Sequence, residues 1–374
     1  MTHVLVVDDS RFMRTVVGDA LRSAEYEVRT ASSGTEAVDA VTRHDPDVVT
    51  MDVEMPEMDG IEAVDRIMAT RPTPILMLSA YTEEGADATL DALERGAMDF
   101  LQKPDGSTDR TIIDLAGEVV ERVDELAGTS VSSAALARAA VAIESVTGDR
   151  QPIAPVPDGT RAPTTTRANT LETAGTEYVD EPTIVVGAST GGPKIIEELF
   201  AGLPIELGAK VLVVQHMPAA FTSRLADRLD SISAYAVREA TDGDRVGPGE
   251  ALVAPGEYHL AVRENVNGHL RVALEDDEPI HGVKPAIDVT METAARAVSD
   301  PLTGVVLTGM GKDGAAGIEA IKQAGGRTIA QDEETSPVFG IPAHAIETGC
   351  VDTVVPADSV AEAILETFTG EVDD

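Results

Sequence analysis

The sequence predicts an α/β protein built from two doubly wound domains. Short apolar runs, several ending in Asp, Ser, Gln or Gly, alternate with stretches whose apolar residues recur at helical spacing. The alternation occurs twice, on either side of an interruption rich in Thr and Pro. Strands that alternate with helices must cross over to pair, so they form parallel sheets covered by helices on both faces.

In the first domain, residues 1–125, the runs His3–Val7, Val28–Ala31, Asp47–Met51, Ile75–Ser79 and Asp99–Gln102 read as a five-stranded parallel sheet. Each is too short for a helix. Between them Phe12, Met13, Val16, Val17, Ala20 and Leu21 fall on one helical face, as do Ile61, Val64, Ile67 and Met68. Residues 126–181 read as an Ala-rich helical segment, about 132–146, followed by a flexible linker. The linker holds Pro152, Pro155, Pro157 and Pro163 with little that could form a core. In the second domain, 182–370, Ile184–Ala188, Val211–Gln215 and Gly304–Thr308 repeat the strand pattern. Ala251–Ala254, His259–Val262 and His269–Leu274 suggest antiparallel hairpins inserted into an otherwise parallel domain.

Composition narrows the function. The chain of 374 residues carries 66 acidic against 28 basic residues, a net charge of −38. Phosphate neutralisation needs a basic surface, so a nucleic-acid partner is not expected. An anionic membrane surface is disfavoured likewise. Only Lys103, Lys194, Lys210, Lys284, Lys312 and Lys322 are lysines, and aromatic residues make up 3%. A surface so acidic and so poor in Lys reads as adapted to high salt, which screens its self-repulsion. The lone Cys350 excludes an internal disulfide or a multi-cysteine zinc site. No transmembrane run or secretory signal is apparent, so a cytoplasmic protein without direct membrane insertion is expected.

Two constellations carry chemistry. Asp8 and Asp9 follow the first strand, Asp52 follows the third, Ser79 ends the fourth, and Lys103 follows the fifth. In a parallel doubly wound sheet these positions share the carboxyl edge, where such folds bind ligands. Three clustered carboxylates repel one another unless a hard divalent cation such as Mg²⁺ joins them. Asp52 could then serve as a phosphoryl acceptor, with Lys103 and Ser79 on the phosphate oxygens. Singly, each Asp would serve equally well as a helix cap.

The second constellation begins at Gly187-Ala188-Ser189-Thr190-Gly191-Gly192-Pro193, which fits G-x-S-x-G, a strand-to-helix turn that exposes a Ser hydroxyl. Gly-rich turns of this kind also bind phosphates, and the motif alone leaves both readings open. His216 directly follows a strongly apolar strand, and Asp313 lies in the Gly309-Met310-Gly311-Lys312-Asp313-Gly314 loop. All three would converge on one sheet edge, giving nucleophile, base and orienting carboxylate. Gly256 reads as a turn residue and His259 as structural.

These motifs carry a resemblance. Residues 1 to about 125 resemble a response-regulator receiver domain through Asp8-Asp9, Met51-Asp52-Val53-Glu54-Met55-Pro56, Asp59-Gly60, Ser79-Ala80 and Lys103-Pro104. The resemblance implies phosphotransfer from a chemotaxis histidine kinase to Asp52, Mg²⁺ held at Asp8, Asp9 and Asp52, and a switch through Ser79 and Phe100. The second domain resembles the chemotaxis protein-glutamate methylesterases through the Ser189 turn, Val214-Gln215-His216-Met217-Pro218 and Thr308–Gly314. That likeness implies a phosphorylation-activated serine esterase that removes glutamate methyl esters from methyl-accepting chemoreceptors and releases methanol. Glutamine deamidation is a second reaction of many members. Ser189, His216 and Asp313 would be catalytic without a cofactor, with Thr190 and Met310 supporting the oxyanion.

Overall fold

The computed structural model describes residues 2–79, 83–104, 111–128 and 182–369. The expected helix at 132–146 and the linker after it lie outside the described residues.

The first domain runs β1 (His3–Val7), α1 (Arg11–Ser23), β2 (Glu27–Ala31), α2 (Gly34–His44), β3 (Val48–Asp52), α3 (Gly60–Thr70), β4 (Ile75–Ser79), α4 (Glu83–Glu94), β5 (Asp99–Gln102) and α5 (Ile112–Gly128). The sheet is parallel throughout, in the order β2-β1-β3-β4-β5. Strands β3 and β4 are buried along their whole length, as residues covered on both faces must be. Local caps start the helices promptly after the strands. Ser10 accepts from Met13 N, Ser33 from Glu36 N and Asp59 from Glu62 N. Helix α5 continues beyond residue 125 to Gly128.

The second domain runs β6 (Thr183–Ala188), α6 (Gly192–Gly202), β7 (Lys210–Gln215), α7 (Ala219–Ile232), β8 (Ala236–Glu239), β9 (Arg245–Val246), β10 (Glu250–Val253), β11 (His259–Val266), β12 (His269–Glu275), α8 (Ile287–Ala297), β13 (Leu302–Val306), α9 (Ala315–Gln323), β14 (Arg327–Gln331), α10 (Gly340–Glu347), β15 (Thr353–Val355) and α11 (Val360–Phe368). Seven strands form a parallel sheet in the order β15-β14-β13-β6-β7-β10-β8. Strands β11, β12 and β9 form a small antiparallel sheet, with Asn267 and Gly268 at positive φ in the turn between β11 and β12.

The run at 251–254 does not belong to the expected hairpin: β10 lies between β7 and β8 and is parallel to both. Its four residues are too few to display a period that separates the two pairings. The strand expected at 304–308 is shifted to Leu302–Val306, which frees Leu307 and Thr308 for the loop beyond it.

Buried side chains of both domains join in one cluster, a second cluster around Val185, Leu212 and Ile318 lies within the second domain, and Phe100 meets Phe221 with ring centroids 4.2 Å apart. Among the described residues, no helix is long and apolar enough to cross a membrane.

Candidate functional site

The acid pocket forms where β1, β3 and β5 end. Carboxylate oxygens of Asp8, Asp9 and Asp52 lie within 4.8 Å of one another. Lys103 Nζ reaches Asp8 Oδ2 at 2.9 Å and Asp52 Oδ1 at 2.7 Å. Arg14 donates to the Asp8 and Asp9 carbonyls, fixing the acid pair on its turn. Burial pushes the Asp52 carboxyl up to about 6; Lys103 opposes the rise and Asp8 adds to it. Burial alone would lower the Lys103 pKa, but Asp52 and Asp8 outweigh it and hold the ammonium above its usual range. The donor set suits Mg²⁺: three hard oxygen ligands meet, and one is a carboxylate whose charge burial disfavours.

Ser79 and Phe100, the expected switch residues, face different ways. The Ser79 hydroxyl donates to Gly85 O at 3.1 Å and accepts from Thr89 at 2.7 Å, both on α4. Phe100 turns toward the second domain and packs against Phe221 of α7.

In the second domain the expected catalytic side chains sit at one sheet edge. His216 Nε2 donates to Asp313 Oδ2 at 2.8 Å, which leaves Nδ1 as the basic nitrogen of a neutral ring. Burial would raise the Asp313 pKa, but the bond from His216 and the N–H groups of Asp288 and Ile287 hold it below the usual carboxylate range. Those N–H groups open α8 and reach Asp313 at 3.0 and 2.6 Å. Asp288 returns the arrangement by accepting from Gly314 N and Gly317 N at the start of α9. Each carboxylate thus caps the other's helix. His281 Nε2 adds a bond to Asp288 at 3.1 Å. Sequence reasoning missed Asp288, whose signal was an Asp in the first turn of a helix.

Ser189 follows β6, 6% exposed. Its N–H donates to Thr308 O at 3.0 Å, and its carbonyl accepts from Gly192 N at 2.8 Å. A Cβ on Gly309 would stand 2.7 Å from Ser189 Cβ, so only glycine lets this loop pass the serine. His216 N donates to Ala188 O, next to the serine, but no hydrogen bond joins Ser189 Oγ to the imidazole among the described residues. Such bonds are often long without substrate. The backbone N–H groups of Thr190 and Met310 also lack an acceptor among the described residues.

The Thr190 side chain reaches the first domain. Its hydroxyl donates to Asp99 Oδ2 of β5 at 2.7 Å, so it is committed to the first domain rather than to the serine. The neighbouring Gly191 N donates to Met98 O at 2.8 Å. Arg122 of α5 lies 3.3 Å from the Met310 sulfur and 3.6 Å from Asp99. Arg224 and Arg228 of α7 meet Asp87, Asp91 and Glu94 of α4, and Arg228 also holds Glu197. The β5–α5 edge of one domain therefore covers the serine turn of the other. The turn's N–H groups are also largely taken, which argues against a phosphate cradle there. His259 is buried and structural: its Nδ1 accepts from Ala286 N at 3.0 Å.

The family model described as CheB methylesterase matches residues 184–364, and that of the response regulator receiver domain matches residues 4–113. A protein-glutamate methylesterase/protein-glutamine glutaminase of Haloarcula marismortui is 52% identical, covering 99% of this chain and 98% of its own. One bearing the same name in Halobacterium salinarum is also 52% identical, covering 98% and 99%. The crystal structure of the Thermotoga maritima CheB methylesterase catalytic domain is 43% identical, covering 49% of this chain and 97% of its own, at a TM-score of 0.47.

Proposed function

The chain belongs to the CheB methylesterase family, and on that premise we propose that Ser189 hydrolyses glutamate methyl esters under the control of Asp52. It is a carboxylic ester hydrolase of the protein-glutamate methylesterase type, led by a receiver domain. Asp313 orients His216, whose Nδ1 takes the Ser189 proton as Oγ attacks the ester carbonyl. The Thr190 and Met310 N–H groups receive the oxyanion. The proton passes to the departing methoxy group as methanol, and water then hydrolyses the acyl-enzyme to free glutamate. The same steps on a glutamine side chain release ammonia. The enzyme acts in the cytoplasm on the cytoplasmic helices of methyl-accepting chemoreceptors, and the phosphodonor is a histidine kinase.

Control runs through the covered serine turn. Asp8, Asp9 and Asp52 would hold Mg²⁺, which supplies charge neutralisation for phosphoryl transfer. Lys103 is placed to pair with the phosphate on Asp52. The phosphate relieves inhibition only by favouring an arrangement in which β5 and α5 leave Ser189. The observation that carries the reading is the His216–Asp313 pair beside a serine turn whose neighbours Thr190 and Gly191 are bound by Asp99 and Met98. The experiment measures methanol release from methylated receptors with and without a small phosphodonor. Ser189→Ala should abolish release, and the phosphodonor should raise the wild-type rate. Release by Ser189→Ala would overturn the serine mechanism.

A further inference from the structure

Gln215 ends β7 one residue before His216, and its side chain is buried at 2% exposure. Nε2 donates to Ser189 O at 2.8 Å and to His216 O at 3.2 Å. One amide therefore ties together the backbones of both residues read as nucleophile and base. Its orientation is forced, because exchanging the amide atoms would set Oε1 against two carbonyl oxygens. Oε1 itself is buried with no hydrogen-bond partner among the described residues. That is costly, and an apolar side chain of the same shape would avoid the cost. The chain also leaves room for the amide, since a Cβ on Gly192 would lie 2.2 Å from Oε1. An arrangement that stability alone would not favour points to a task for Nε2.

The task follows from peptide geometry. In a trans peptide the C=O and N–H point in opposite directions. Holding Ser189 O therefore fixes where Thr190 N–H points. The next peptide is held as well, because Thr308 Oγ1 donates to Thr190 O at 2.9 Å. We propose that Gln215 is a positioning residue that clamps the Ser189–Thr190 peptide, keeping Thr190 N–H aimed at the developing oxyanion and the His216 backbone in register with it. The proposal rests on the serine-esterase reading above.

The test uses the full chain activated by a phosphodonor, with Gln215→Met, Gln215→Glu and Ser189→Ala compared. Met fills the space without a donor, and Glu keeps the shape but opposes carboxylate oxygens to the two carbonyls. Both should lower kcat about 10- to 100-fold, because a misaimed oxyanion donor costs somewhat less than a deleted one, with KM within about threefold. Inhibition by a boronic acid that forms a tetrahedral adduct on Ser189 should weaken in step with kcat. The melting temperature of Gln215→Met should not fall, which separates the clamp from a structural role. Should Met fail to fold, the Glu variant carries the same kcat and inhibitor readings. Wild-type kcat, or unchanged boronate affinity, in a folded variant overturns the clamp. A fully active Ser189→Ala overturns the underlying serine reading instead.

Discussion

The two sheet edges solve the same placement problem by different means. In the first domain, Asp8, Asp52 and Lys103 are held by their mutual charge, with Lys103 at 2.9 and 2.7 Å from the two carboxylates. In the second, Ser189, Thr190 and Asp313 are held largely by neutral donors and acceptors: Thr308, Gln215, Gly192 and the first N–H groups of α8. An arrangement balanced on charge is reset when a cation or a phosphate arrives, because each changes every pairwise term. A backbone-held site keeps its geometry while charge develops on the substrate, which is what preorganisation requires. The difference suits the roles proposed for the two edges, a switch at one and a catalyst at the other, within one fold class.

The largest expected effect breaks the catalytic side. Asp313→Asn should lower kcat by roughly 10⁴-fold, by analogy with the loss of the correct imidazole tautomer in serine triads. Stopped or continuous methanol assays on the phosphodonor-activated chain measure it; a loss below tenfold would remove Asp313 from the mechanism.

Next is the charge-held side. The Asp52 pKa is raised from 3.8 to about 6, so its neutral form is favoured on folding. Its favourable contribution is complete below pH 3.8 and is lost as the pH rises through about 6. Without divalent cation, Asp52→Asn should therefore be more stable than wild type at pH 8 by about 1–3 kcal/mol and close to it at pH 4. Denaturant titrations at the two pH values decide this. The same variant should show no response to a phosphodonor, and Mg²⁺ should raise the melting temperature of the wild type more than that of the variant.

The contact between the sites comes third. Asp99→Asn weakens the hold on Thr190 and on Arg122. It should raise the basal esterase rate several-fold while leaving the phosphodonor-activated rate within about twofold, since partly exposed charged contacts contribute modestly. An unchanged basal rate would show that this contact does not restrain the enzyme.

The smallest effect concerns Glu197, which burial pushes up to about 7 against the pull of Arg228, with Glu94 adding to the rise. Its contribution is complete below pH 4.5 and fades as the pH passes about 7. Glu197→Gln should flatten the pH dependence of the melting temperature in that window by an amount equivalent to about 1 kcal/mol or less.

Much of the architecture was legible because each strand announces itself locally. Ile75–Ser79 and Asp99–Gln102 were read at their observed bounds. The reading failed at Ala251–Ala254, where β10 gains a parallel pairing from β7 and β8 that four apolar residues cannot encode alone. The candidate site divides in the same way. Ser189, His216 and Asp313 stand in recognisable motifs, whereas the Asp288 and Gln215 side chains bind distant backbone groups, whose identity no local pattern records. Nothing local marks the partner of the Thr190 hydroxyl either, because its acceptor is 91 residues away in the other domain.

By itself the sequence determined the two parallel sheets, the acidic surface and the identities of the chemical groups, because periodicity, strand-end position and charge are local properties of the chain. Only the tertiary structure decided that the β5–α5 edge lies over the serine turn, that Asp288 and Asp313 cap each other's helices, and that one buried amide joins Ser189 to His216. Those facts depend on hydrogen bonds and packing between residues far apart in sequence, whose directions are set when the sheets and helices dock.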